Sequence, residues 1–227
     1  MKRFISLFFI FIVSGNTSAA QERPSFDAKT SLPVEEIQVL ETNGKIYFVS
    51  KNGRFVFQGQ LTDSWHKKPL DTMDEIKYAA SHIDLDVMGL PLDDLNTITI
   101  SGGPERVVVF VDPLCAYCKS FIKEAKLRTD KYTFKIIVVP ALGKQSNVLS
   151  KSLFCASDKS NALEMFMNNN LGSLPQKKSN CDTNNYDLTL TVAQLFGIRS
   201  VPFFIAPDGR YKPSAGAGFW GWVEGKE

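Results

Sequence analysis

The feature that most constrains this chain is a pair of cysteines, Cys115 and Cys118, set directly after an apolar run and at the head of a helical pattern. Residues 106–112, with Val107, Val108, Val109, Phe110 and Val111 in succession, read as a strand buried on both faces. Residues 115–128 then place Phe121, Ile122 and Ala125 on one helical face. A strand that feeds a helix in this way puts the first cysteine among free backbone N–H groups, at the positive end of the helix dipole. An anion is stabilised there, so the thiol pKa falls and more thiolate is present at neutral pH. Cys115 is therefore expected to be the attacking thiolate and Cys118 the thiol that resolves a mixed disulfide. Ala116 and Tyr117, between them, tune the leaving-group behaviour of Cys115.

Two other uses of a close cysteine pair fit less well. Zinc wants four ligands, yet Cys155 and Cys181 form no second close pair, and His66 and His82 lie outside the strand–helix unit. No metal and no cofactor are expected. A purely structural bridge gains little by closing so short a loop. Cys155 and Cys181 stand 26 positions apart around a polar loop. Four cysteines permit three pairings; spacing favours 115–118 with 155–181 and leaves the other two open. A 155–181 bridge would remove denatured-state entropy worth roughly 3–4 kcal/mol, and reads as structural rather than as a second redox pair. Pro202 follows Val201 at the start of an apolar strand pattern, a position where proline is tolerated. A cis bond there would leave the Val201 backbone free to pair with an extended substrate. Trans is the ordinary state of such a bond.

The remainder of the chain supplies the setting. Residues 1–20 carry Lys2 and Arg3, then an apolar stretch, then small residues ending in Ser18-Ala19-Ala20, which is the pattern of a cleavable secretory signal. The apolar stretch is too short to span a bilayer. The signal would take with it two of the 26 bases and none of the 24 acids, leaving a formally neutral chain. No charge excess points to nucleic acid or an acidic membrane surface. Export places the cysteines in an oxidising compartment. Residues 32–40 read as helical or irregular. Residues 45–49 and 54–58 read as strands about a hairpin turn at Asn52-Gly53. These belong to a small β-containing unit over residues 21–70, which is marginal for an independent core and calls for a partner. Thr72 and Glu75 form a capping-box pattern. A helix is predicted from there to about residue 86, as a linker within residues 71–90. Residues 91–227 then run strand, turn, strand, helix, strand, two helices, a polar loop, a helix and a final hairpin at Pro207-Asp208-Gly209. That is the thioredoxin order.

The segment Phe110-Val111-Asp112-Pro113-Leu114-Cys115-Ala116-Tyr117-Cys118-Lys119 resembles the active-site segment of the DsbC/DsbG family of periplasmic disulfide isomerases. Residues 53–63 are similar to the end of that family's N-terminal dimerisation domain, the helix from Thr72 to its linker helix, and Val201-Pro202 to its cis-proline loop. Cys155 and Cys181 match its structural disulfide. The resemblance implies an α+β chain: a thioredoxin-like domain with inserted helices, joined by a linker helix to a small cystatin-like dimerisation domain. It implies a V-shaped homodimer in the periplasm, misbridged exported proteins as substrates, and a DsbD-type membrane reductase. Cys115 and Cys118 would be catalytic, while Tyr117, Val201 and Pro202 would meet the substrate. Two positions depart from the family pattern: Ala116 where Gly or Pro is usual, and Val201 where Thr is usual. Both bear on redox poise, so a DsbA-like oxidase and a holdase chaperone with secondary redox activity stand as alternatives. Val109, six residues before Cys115, occupies the place where a reducing thioredoxin carries a buried acid. The last helix, after Gly218, is expected to be short.

Overall fold

The computed structural model describes residues 36–177 and 181–226. The expected signal, residues 1–20, lies outside them, as does the lead-in through residue 35. The described chain opens with β1 (Ile37–Thr42) and β2 (Lys45–Ser50), an antiparallel hairpin with Thr42 opposite Lys45. Asn43 and Gly44 close it with φ of 51° and 69°, the pair of positive values that a two-residue hairpin turn of type I′ requires. This corrects the expectation that residues 32–40 are helical or irregular, since 37–42 form a strand. The expected hairpin about Asn52-Gly53 is present, β2 pairing antiparallel with residues 56–57, but its loop is wider than the tight turn at Asn43-Gly44. Leu40 interrupts the alternation of Ile37, Val39 and Glu41, which blurs the period of two that marks a strand. Asn52 instead organises a wider loop. Its Oδ1 accepts from Ser50 Oγ at 2.8 Å and from Arg54 N–H at 3.1 Å, ahead of β3 (Val56–Phe57).

A second hairpin, β4 (Leu61–Asp63) and β5 (Lys68–Leu70), follows. It brings Trp65 against Phe196, with ring centroids 5.8 Å apart. Helix α1 (Met73–Ser81) begins with the expected capping box: Thr72 Oγ1 accepts from Glu75 N–H, and the Glu75 carboxylate accepts from Thr72 N–H. It stops earlier than predicted. His82 is extended and bridges Arg210, and Ile83 N–H donates to the Gly209 carbonyl at 2.8 Å. A separate turn, α2 (Leu85–Met88), is capped by Asp84. The helical spacing runs on through the break because Ile83 and Leu85 are apolar for another reason: they pack into the core of the following domain.

That domain is built on a five-stranded sheet of order β10-β9-β7-β8-β6. Its strands are β6 (Thr97–Ile100), β7 (Glu105–Val111), β8 (Tyr132–Val138), β9 (Phe203–Ile205) and β10 (Tyr211–Lys212). Only β7 and β8 are parallel, joined by α3 (Ala116–Ala125). The helices α4 (Lys144–Phe154), α5 (Ala162–Met167) and α6 (Asn184–Leu195) stand between β8 and β9, and α7 (Phe219–Val223) ends the described chain. The valine run of β7 is buried on both faces, as its unbroken apolar character predicts. Val107, Val109 and Val111 face a core with Phe121, Ile122, Phe134 and Phe219. Val108 and Phe110 face another with Ile83, Leu85, Val192 and Phe196. The domain is thioredoxin-like, and the last helix is short, as expected.

Candidate active site: the dithiol and its cleft

Residues 106–118 assemble as the sequence suggests. β7 ends at Val111, a tight turn follows, and Cys115 is the N-cap of α3 with extended backbone. Cys115 Sγ accepts the N–H of Cys118 at 3.1 Å, one of the free donors of the first helical turn. The pair is joined as a disulfide with Cα atoms 5.3 Å apart. Cys115 keeps 6% of its surface exposed and Cys118 none. An incoming sulfur can therefore reach the first cysteine and not the second, while the helix terminus stabilises negative charge on the first. Phe121, Ile122 and Ala125 anchor the buried side of α3.

A buried acid supports this turn, and the sequence reading did not single it out. Asp112 is wholly buried at the end of β7. Its Oδ1 accepts from Leu114 N–H at 2.7 Å and Ser146 Oγ at 2.8 Å, and its Oδ2 from Leu142 N–H at 2.8 Å. Its backbone carbonyl accepts from Cys115 N–H at 3.1 Å. The carboxylate thus ties the loop carrying Cys115 to the first turn of α4. Beyond the dithiol, Lys119 reaches Asn169 Oδ1 and lies 5.9 Å from the Phe166 ring centre. Partial burial pushes its ammonium pKa down, with the Asp112 charge opposing that shift.

The Val201-Pro202 peptide is cis. The Val201 carbonyl oxygen lies 3.7 Å from Cys115 Sγ, although the two residues are far apart in sequence. Tyr117, Val201 and Pro202 line one cleft of about 320 Å³, together with Phe121, Glu124 and residues 213–215. Tyr117 is 80% exposed, and Leu114, next to Cys115 in the chain, also presents apolar surface. Cys155 and Cys181, the other two cysteines, form the second disulfide, with Cα atoms 5.6 Å apart. There the returning chain runs alongside α4: Lys177 N–H donates to the Cys155 carbonyl at 3.1 Å, and Ser157 N–H to that of Pro175 at 2.8 Å. Among the described residues, no three His, Cys, Asp or Glu side chains gather as a metal site.

No family model matches the chain. The probable thiol:disulfide interchange protein DsbC of Bordetella avium is 23% identical over 169 residues, 74% of this chain. The chain spans 58% of that relative's length. The DsbC protein of Salmonella typhimurium is 25% identical over 187 residues, covering 80% of this chain and 73% of that one. Among solved structures, a disulfide interchange protein from Neisseria gonorrhoeae is similar at 26% identity and a TM-score of 0.48. It covers 60% of this chain and 98% of its own. By sequence, this chain is a distant relative of the DsbC thiol:disulfide interchange proteins.

Proposed function

We propose that the chain is a thiol–disulfide oxidoreductase that reshuffles or reduces non-native disulfides in exported proteins, with Cys115 as nucleophile and Cys118 as resolving thiol. The observation that carries this reading is the asymmetry of the pair: Cys115 keeps a small exposed surface and Cys118 keeps none. Cys115 Sγ sits at a helix N-terminus, accepts the Cys118 N–H and lies 3.7 Å from the carbonyl oxygen of Val201, which lines the cleft, while Cys118 is sealed beneath it. In the reduced protein, the Cys115 thiolate attacks one sulfur of a substrate disulfide. The S–S bond breaks, its electron pair leaves on the other substrate sulfur, and a mixed disulfide forms. That freed substrate thiolate can attack a different disulfide of the same substrate, and the thiolate released there attacks the mixed disulfide and expels Cys115 as thiolate, which completes isomerisation. Alternatively Cys118 loses its proton and attacks Cys115 Sγ, releasing a reduced substrate and closing the Cys115–Cys118 bond. Val201 and Pro202 flank the substrate on the far wall, and Tyr117 on the near one.

The same reading assigns the 155–181 bridge to stability, places the protein in the periplasm, and makes a DsbD-type membrane reductase the source of electrons. It takes residues 21–70 as a dimerisation unit, 71–90 as its linker and 91–227 as the catalytic domain. Refolding of scrambled ribonuclease by the reduced protein tests it. The expected result is recovery of ribonuclease activity by the wild type and none by C115S. Introduction of disulfides into reduced ribonuclease without reshuffling would make the protein an oxidase. Full suppression of aggregation by C115S, with no reshuffling by the wild type, would make it a holdase.

A further inference from the structure

The cleft beside the dithiol carries a charge that the exchange chemistry does not use. Tyr117, Ser120, Phe121 and Glu124 fall three, four and seven residues apart along α3 and line one wall of it. That spacing places them on a single helical face. Pro202, Pro213 and Ala215 line the other side, and among the described residues Glu124 is the one charged side chain in the lining. Its Oε2 is held by Trp220, whose Nε1 donates at 3.2 Å. Trp220 is fixed in turn: it stacks on Phe121 at 5.9 Å and on Tyr132 at 6.0 Å. Arg128 lies at the end of the 3-10 turn (Lys126–Arg128) that follows α3. Its guanidinium lies over the Trp220 ring at 4.2 Å. The carboxylate is therefore oriented without being neutralised.

Building on the dithiol reading, we propose that Glu124 is a specificity residue for the substrate: it selects a lysine or arginine close to the bridged cysteine. Nine residues separate Cys115, where the substrate sulfur is attacked, from Glu124, about 13 Å at 1.5 Å per residue. An extended peptide covers that distance in about four residues. The chosen cation thus lies about four positions from the cysteine under attack, its aliphatic stem against Phe121 and the prolines and its charge at Glu124. Aromatic Tyr117 and Phe121 tolerate a cation over their faces, whereas an acidic substrate residue meets a fixed negative charge.

The test is the second-order rate at which the reduced protein reduces short disulfide-linked peptides. These carry Lys, norleucine or Glu at the fourth position on either side of the cysteine. An exposed ion pair of this kind corresponds to about a two- to fivefold rate preference for Lys over norleucine, with Glu slower than both. High salt should erode the preference, and E124Q should bring the Lys-to-norleucine ratio close to one. Equal rates for the three peptides, or a preference that survives in E124Q, would overturn the assignment of Glu124 and leave the dithiol activity standing. Reduction of none of the peptides would overturn the dithiol reading and this one with it.

Discussion

Asp112 lies three residues before Cys115, and every hydrogen bond its carboxylate makes comes from a donor: two backbone N–H groups and a hydroxyl. Removing that acceptor leaves one buried donor, Ser146 Oγ, and two part-buried N–H groups without a partner, and an unmet buried donor costs about 1–3 kcal/mol. D112A is thus expected to lose roughly 3–5 kcal/mol in urea unfolding. S146A removes one donor while Asp112 Oδ1 keeps its bond from Leu114 N–H, and should cost far less. A small loss in D112A would mean that water replaces the carboxylate. Tyr186 gives a second residue-level expectation. Burial pushes its phenol up to about 12, and its hydroxyl donates to Asn147 Oδ1 at 2.7 Å. Because the folded value lies above the unfolded one of about 10, the neutral phenol's contribution is intact below pH about 10. It is lost as pH climbs from there toward about 12. Y186F should therefore show a flatter decline in stability across that window than the wild type, and identical slopes would refute the coupling. The two kinds of residue differed in legibility. Cys115 and Cys118 announce themselves because chemistry and spacing coincide at a strand–helix junction. Asp112 closes an apolar run and reads as its polar end; only the fold reveals that Leu142 and Ser146, some thirty residues on, converge upon it.

The loop from β6 to β7 shows how an element can be read correctly for an incomplete reason. Ser101-Gly102-Gly103-Pro104 is a turn, as its composition predicts, but neither glycine has the positive φ that turns often demand. They are glycine because the chain after α3 passes against them. A Cβ on Gly102 would overlap the Thr129 and Tyr132 carbonyl oxygens, and one on Gly103 would overlap the backbone of Lys131. These are backbone atoms held by Gly103 N–H to the Thr129 carbonyl at 2.8 Å and Glu105 N–H to that of Lys131 at 3.3 Å. They cannot step aside without disturbing the β7–β8 pairing. G103A should cost about 2–4 kcal/mol, measured by thermal or urea unfolding, where a glycine needed only for flexibility would gain from the same change. The hairpin turns teach the complementary point. Asn43-Gly44 and Asn52-Gly53 are the same dipeptide, yet only the first has both residues at positive φ. The flanking strands decide: β1 and β2 pair directly up to the first turn, whereas Ser50 and Asn52 spend their side chains bracing a wider loop. Likewise α1 ends at Ser81 because β-bridging to Arg210 competes with the next helical turn, a long-range contact to which periodicity is blind.

At the scale of the molecule, the two regions are unequal in what they bury. The domain around β7 has a core on each face of its sheet. Among the described residues, the β1–β2–β3 sheet presents apolar side chains on both faces with little over them. Register places Leu40, Tyr47, Val49 and Val56 on one side, and Ile37, Val39, Phe48 and Phe57 on the other. Leu40 is 50% exposed and Val56 61%. A three-stranded sheet needs a packed face to be stable in water, and so small a unit rarely provides its own. Pairing with a second copy would supply that face and, under the proposed function, would bring two dithiols to one substrate: one site could hold a mixed disulfide while the other meets the next bond. The expected state of the wild type is therefore a dimer by light scattering. L40E/V56E places a charge at each of two apolar positions of one face and should shift the protein to monomer at micromolar concentration. Since neither substitution touches the dithiol or its cleft, the monomer should still reduce a short peptide disulfide at an undiminished rate while losing most of its yield on scrambled ribonuclease. A wild-type monomer, or a dissociated variant that isomerises as well as the parent, would detach dimerisation from function. The activity would then rest on the thioredoxin-like domain alone.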